Sequence, residues 1–126
     1  MIIGIGTDIV ELARLKTAIA RNGEAFLRRV YTTAELDAAK TRLEYLAGRW
    51  AVKEAAAKAL GCGIGSGCAF TDIEVSNAPS GAPAVTCKAS AAKRMEEVYR
   101  DLRWHVSISH ERTYAVATVI IEGEKR

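Results

Sequence analysis

No run of apolar residues in this chain of 126 approaches the roughly 20 that a membrane-spanning helix requires. Its start, Met1-Ile2-Ile3-Gly4-Ile5-Gly6-Thr7-Asp8, lacks the basic region and cleavage pattern of an export signal, so the expected compartment is the cytosol, without membrane contact. Cysteine is scarce and odd in number. Cys62, Cys68 and Cys87 include no Cys-x-x-Cys pair and no nearby histidine, which argues against a zinc pattern or a disulfide framework and leaves three free thiols. Aromatic residues make up 6% of the chain, too few for the clustered stacking platforms of an RNA-binding sheet. There is no Walker motif, no Gly-x-Ser-x-Gly elbow, no internal repeat and no low-complexity linker.

With 49% hydrophobic and 26% charged residues, the chain reads as one soluble globular domain over 1–126, long enough for its own core. The net charge of +3 is mild but uneven. Arg14, Lys16, Arg21, Arg28 and Arg29 gather in an early segment whose only acids are Glu11 and Glu24. Such a patch suits an anionic partner, or is simply a solvated helix face.

Alternation predicts a strand over residues 2–7, with Ile3, Ile5 and Thr7 on one face and Gly4, Gly6 and Asp8 on the other, so that two glycines clear space beside Asp8. Leu12, Leu15 and Ile19 predict a helix over 9–20, stopped at Asn22-Gly23 and followed by a short helix over 24–30. Thr32-x-x-Glu35 has the form of a capping box, and residues 42–60 form the longest helical candidate, closed by Gly61. The glycine-rich stretch 61–68 is a loop. Thr71, Ile73 and Val75 alternate as a strand, residues 77–83 form a turn, and Val85 and Cys87 lie on the returning strand. Ser90 is expected to cap a helix buried through Ala91, Met95, Val98 and Leu102. Residues 104–109 and 114–121 form a last hairpin, its second strand apolar on both faces and therefore central. The fold class is α+β, with an antiparallel sheet packed against a long central helix.

One residue breaks the pattern of the long helix. Leu43, Leu46, Ala47, Trp50, Ala57 and Leu60 form an apolar stripe at 100° per residue, and Glu54 falls inside it. A buried carboxylate needs compensation, and a cation is the obvious candidate. Lys58 lies four residues on, where a helix-surface ion pair is the simplest reading; facing a phosphoryl oxygen is the functional one. Asp8 closes the first strand, and a helix crossing that sheet could bring the two carboxylates together as oxygen ligands for Mg²⁺. Asp8 also has the alternative of an N-cap, with Glu11 as its acidic partner. His110, after Ser107-Ile108-Ser109, sits at a sheet edge where it is either a phosphate ligand or a solvated loop residue.

Three separated motifs now stand in order along the chain: Gly4-Ile5-Gly6-Thr7-Asp8-Ile9-Val10-Glu11, then Arg49-Trp50-Ala51-Val52-Lys53-Glu54-Ala55-Ala56-Ala57-Lys58-Ala59-Leu60-Gly61, then Ser107-Ile108-Ser109-His110. With Ser80-Gly81-Ala82-Pro83 ahead of a strand, they resemble the holo-[acyl-carrier-protein] synthases, the small 4′-phosphopantetheinyl transferases. The resemblance implies transfer of the phosphopantetheine arm of coenzyme A to a serine of apo acyl carrier protein. Adenosine 3′,5′-bisphosphate is released, Mg²⁺ is the cofactor, and the reaction serves fatty acid biosynthesis. It implies Asp8 and Glu54 as metal ligands and Lys58 as the phosphate-contacting lysine. Glu54 becomes the base for the serine proton, directly or through a metal-bound water. Arg49 and His110 match positions near the coenzyme A phosphates, and Gly81 and Pro83 match the lining of the nucleotide site. Arg14, Arg21 and Arg28 become docking residues for an acidic helix of the carrier, and a homotrimer with active sites between subunits is implied. Two details depart from the common pattern: Trp50 stands where phenylalanine is frequent, and Cys62 and Cys68 lie in the glycine loop. The alternatives are a transferase for a polyketide or peptide synthase carrier, and a non-catalytic basic module for an acidic protein or nucleic acid. The low aromatic content argues against nucleic acid.

Overall fold

In the computed structural model, which describes residues 1–126, the predicted periodicities resolve into β1 (Ile2–Glu11), α1 (Leu12–Val30), α2 (Thr33–Ala39), α3 (Leu43–Leu60), β2 (Ile73–Asn77), β3 (Pro83–Cys87), α4 (Ala89–Val98), β4 (Tyr99–His110) and β5 (Tyr114–Lys125). The order in the main sheet is β1-β5-β4, antiparallel throughout, so the strand that is apolar on both faces is indeed central. β2 and β3 pair separately as a small second sheet, where the sequence suggested one.

Two boundaries differ from expectation, that of β1 because pairing with β5 overrides local propensity. β1 continues through Glu11, since Ile9, Val10 and Glu11 find register partners in Val116, Ala115 and Tyr114. Asp8 therefore lies within a strand opposite Ala117, and the N-cap alternative fails; Glu11 takes the cap position without a side-chain hydrogen bond. The two early helices run together as α1 but are separated at Gly23, as expected, by non-helical angles of φ 53° and ψ −129°. Lys88, not Ser90, precedes α4, and Leu102 belongs to β4, within the register shift between Arg100 and Arg103.

α3 runs through the middle of the molecule. Its alanines make it thin enough to be covered on nearly all sides, with Ala47, Ala51, Val52, Ala55, Ala56 and Ala57 buried. It lies on the sheet face that carries Gly4 and Gly6. A Cβ on Gly6 would come within 2.9 Å of the Ala55 carbonyl carbon and 3.0 Å of the Ala59 amide nitrogen, so only glycine permits this approach.

The most buried charges are Lys53 and Glu35, whose side chains are 0% and 1% exposed and lie 2.8 Å apart. Lys53 Nζ also donates to the carbonyls of Phe70 (3.0 Å) and Ile73 (2.5 Å). Glu35 accepts from the amides of Thr32 and Val75, both at 2.8 Å. The expected capping box thus forms and doubles as the anchor tying α2, α3 and β2 together. Burial lowers the proton affinity of Lys53, and Glu35 opposes that shift. Because removing one partner strands the other, Lys53→Met should destabilise the fold by about 3–5 kcal/mol in denaturant unfolding. The Lys53→Met/Glu35→Gln double variant should lose clearly less than the sum of its single changes. Simple additivity would contradict a coupled pair.

Candidate active site

Because α3 sits close on β1, the end of the helix reaches across the strand. Lys58 Nζ donates to Asp8 Oδ1 at 3.1 Å and to the Thr7 carbonyl at 2.9 Å. The Asp8 side chain is 19% exposed and that of Lys58 55%, so the pair stands at the surface with its carboxylate half sunk. A hollow lined by Thr7, Asp8, Ile9, Lys58 and Val116 opens over it. Lys58 makes its ion pair with Asp8 and none with Glu54, so the i,i+4 helix-surface pair does not form.

Glu54 is only partly buried and lies on the least covered side of α3, with Trp50 and Lys58. Its place in the apolar stripe therefore overstated its burial, because α3 is buried on nearly all its other sides. Its electrostatics remain unusual. Burial first, and the Asp8 carboxylate second, push its proton affinity above the usual carboxylate range, while Lys58 and Arg14 pull it down. Two carboxylates that repel one another are a donor set that a hard divalent cation would relieve. No cluster of three or more acidic, histidine or cysteine side chains is arranged to hold a metal by itself. Asp8 and Glu54 nevertheless fit Mg²⁺, which commonly takes one or two carboxylates and completes its shell with phosphate and water.

The remaining expected residues fall into separate groups. Arg14 stands 5.9 Å above the Trp50 ring, which meets Phe26 edge-on at 5.5 Å, so the basic segment begins beside Glu54. Arg21 and Arg28 are exposed further along α1, Arg28 in a solvated pair with Glu24 at 3.3 Å. Arg49 is 7% exposed and stacks on Tyr45 at 3.5 Å. Its Nη2 donates to Asn77 Oδ1 at 2.7 Å, and Asn77 in turn donates to the Gly81 carbonyl at 2.9 Å, beside Pro83 at the start of β3. His110 is exposed at the end of β4, in a hollow that shares Ile9 and Val116 with the one over Asp8.

Sequence reasoning missed Lys53, Glu35 as its partner, and Asn77. Asn77 carries no signal beyond that of an ordinary turn asparagine. Lys53 could have been suspected from its place between Val52 and Ala57 on a helix rich in alanine.

Comparison with known proteins agrees with this architecture. The model of the 4′-phosphopantetheinyl transferase superfamily matches residues 4–119, and the chain belongs to that family. A holo-[acyl-carrier-protein] synthase of Shewanella piezotolerans is 49% identical over 132 residues, covering 98% of this chain and all (100%) of the relative. Among solved structures, the holo-[acyl-carrier-protein] synthase of Neisseria meningitidis superposes with a TM-score of 0.86 at 37% identity, covering 97% of this chain and 99% of that one. The Helicobacter pylori enzyme, solved in complex with coenzyme A, gives 0.84 at 35% identity, over 94% of this chain and 99% of its own.

The raised proton affinity of Glu54 has a stability consequence of definite sign. A carboxyl that binds its proton more tightly when folded stabilises the fold at low pH, and that contribution is lost as pH rises through its folded value. Glu54→Gln should therefore raise the Tm at neutral pH in metal-free buffer, and the gain should shrink to nothing as the pH is lowered below the carboxylate range. Thermal unfolding across pH checks this, and a lowered Tm at neutral pH would contradict it.

Proposed function

We propose that this protein transfers the 4′-phosphopantetheine arm of coenzyme A to a serine hydroxyl of apo acyl carrier protein in fatty acid biosynthesis, releasing adenosine 3′,5′-bisphosphate. The observation that carries this reading is the grouping of Asp8, Lys58 and Glu54 in a chain similar, over nearly its whole length, to holo-[acyl-carrier-protein] synthases. Residues 1–126 act as one transferase domain in the cytosol, where Cys62, Cys68 and Cys87 remain thiols.

Lys58 is steered by Asp8 and the Thr7 carbonyl, while its exposed ammonium faces the phosphoryl oxygens and favours charge developing there. Asp8 and Glu54 would hold Mg²⁺, which when bound supplies charge neutralisation on the pyrophosphate. Glu54 accepts the serine proton, directly or through a metal-bound water, and its raised proton affinity favours that role. Arg49 and His110 serve the coenzyme A phosphates, with Gly81 and Pro83 lining the nucleotide.

Arg14, Arg21 and Arg28 receive an acidic helix of the carrier, which places docking beside Glu54 through the Arg14–Trp50 contact. The working form is a homotrimer with active sites between subunits. The sheet face turned away from α3 supports this, since Ile5 and Ile9 are 65% and 61% exposed there beside Val116.

The test is mass spectrometry of several apo carriers incubated with coenzyme A, Mg²⁺ and this protein. One carrier should gain the mass of a single phosphopantetheine, and Glu54→Gln should slow that gain by about 100-fold or more. Folded carriers of fatty acid, polyketide and peptide synthases that all keep their mass would sink the reading.

A further inference from the structure

Arg49 is a buried cation without a counter-ion. No carboxylate lies within ion-pair distance, its Nε is buried and bonded to nothing, and its flat face rests on the Tyr45 ring. Its one hydrogen bond runs to a neutral side chain, Asn77, whose Oδ1 also accepts from the Tyr45 hydroxyl at 3.3 Å. The two donors on one side and the Gly81 carbonyl on the other give the amide a single orientation that satisfies all three.

On the far side of that amide is a turn. Ala78 and Ala82 close it through an amide-to-carbonyl bond of 2.8 Å, the Gly81 amide donates to Ala78 at the same distance, and Gly81 takes φ +90° with open space around it. Asn77 is thus the junction between a helix that carries a cation and a turn that carries Gly81 and Pro83.

The chemistry of that junction is specific. A carboxylate at position 77 would bind Arg49 more strongly, but it would cancel the charge and could not donate to Gly81. A neutral amide holds the guanidinium in place and leaves its charge uncompensated, so an anion near the turn finds a field that no protein group has neutralised.

We propose that Asn77 is a positioning residue for coenzyme A: it fixes the Gly81–Pro83 turn against Arg49 while keeping the arginine's charge available to the phosphates. The assignment rests on the coenzyme A reading above. It predicts opposite effects on fold and binding. Asn77→Asp should keep or raise the Tm, because it adds an ion pair to Arg49, yet weaken coenzyme A binding about tenfold or more. Asn77→Ala should weaken binding similarly and lower the Tm.

The experiment is calorimetric titration of coenzyme A into wild type, Asn77→Asp and Asn77→Ala, with steady-state kinetics on the carrier that wild type modifies. Expected are an increased Kd and KM for coenzyme A, with kcat and the KM for carrier altered less than about threefold. Should Asn77→Ala fail to fold, Asn77→Asp, which retains the bond to Arg49, decides. Unchanged coenzyme A affinity in folded Asn77→Asp, or equal rises in both KM values, would overturn the assignment. Wild type that binds coenzyme A but modifies no carrier would refute the transferase reading and leave the binding result to judge Asn77.

Discussion

The molecule depends on one close approach, that of α3 to the glycine face of β1. Gly4 and Gly6 leave no side chain between strand and helix, and a Cβ at either would run into the Ala59 or Ala55 carbonyl. Helix and strand are therefore nearly in backbone contact, which a typical interface with side chains on both elements does not allow. The approach matters because Asp8 follows on the same strand face, as the next residue in the alternation after Gly4 and Gly6. Lys58, projecting from the last turn of α3, can then reach both Asp8 and the Thr7 carbonyl.

Placing a helix close to a strand does not fix its rotation. That is the part played by Lys53, one residue before Glu54 and about 100° around the helix axis from it. With its ammonium committed to Glu35 and to the Phe70 and Ile73 carbonyls, α3 cannot roll without stranding a buried charge. Glu54 is held toward Asp8 as a consequence. The chain thus commits an inward lysine to orientation and leaves the adjacent Glu54 facing outward beside Asp8.

Much of this was legible in the sequence, for identifiable reasons. The long helix, its Gly61 stop, the capping box at Thr32 and Glu35, the central position of β5 and the space cleared by two glycines all follow from periodicity and backbone chemistry. The limits were equally physical. Only the pairing of β5 along β1 separates Asp8 from an N-cap, because local sequence is compatible with both. The apolar stripe around Glu54 implies burial only on a helix with a single apolar face, and α3 has none, since small alanines let it be covered almost everywhere. The charges that are deeply buried, Lys53 and Glu35, meet across a separation that no local pattern encodes. Asn77 takes its meaning from three partners in two elements, and only the folded chain assembles them.

The central claim is that Asp8 and Glu54 form one electrostatic site at this contact, and a carboxyl titration followed by carbon-13 NMR tests it most directly. In the metal-free protein Glu54 should titrate above an ordinary glutamate, and Asp8→Asn should lower it part of the way, by removing the repulsion and freeing Lys58 while the burial remains. A Glu54 that titrates like a solvated glutamate, indifferent to Asp8→Asn, would contradict the account.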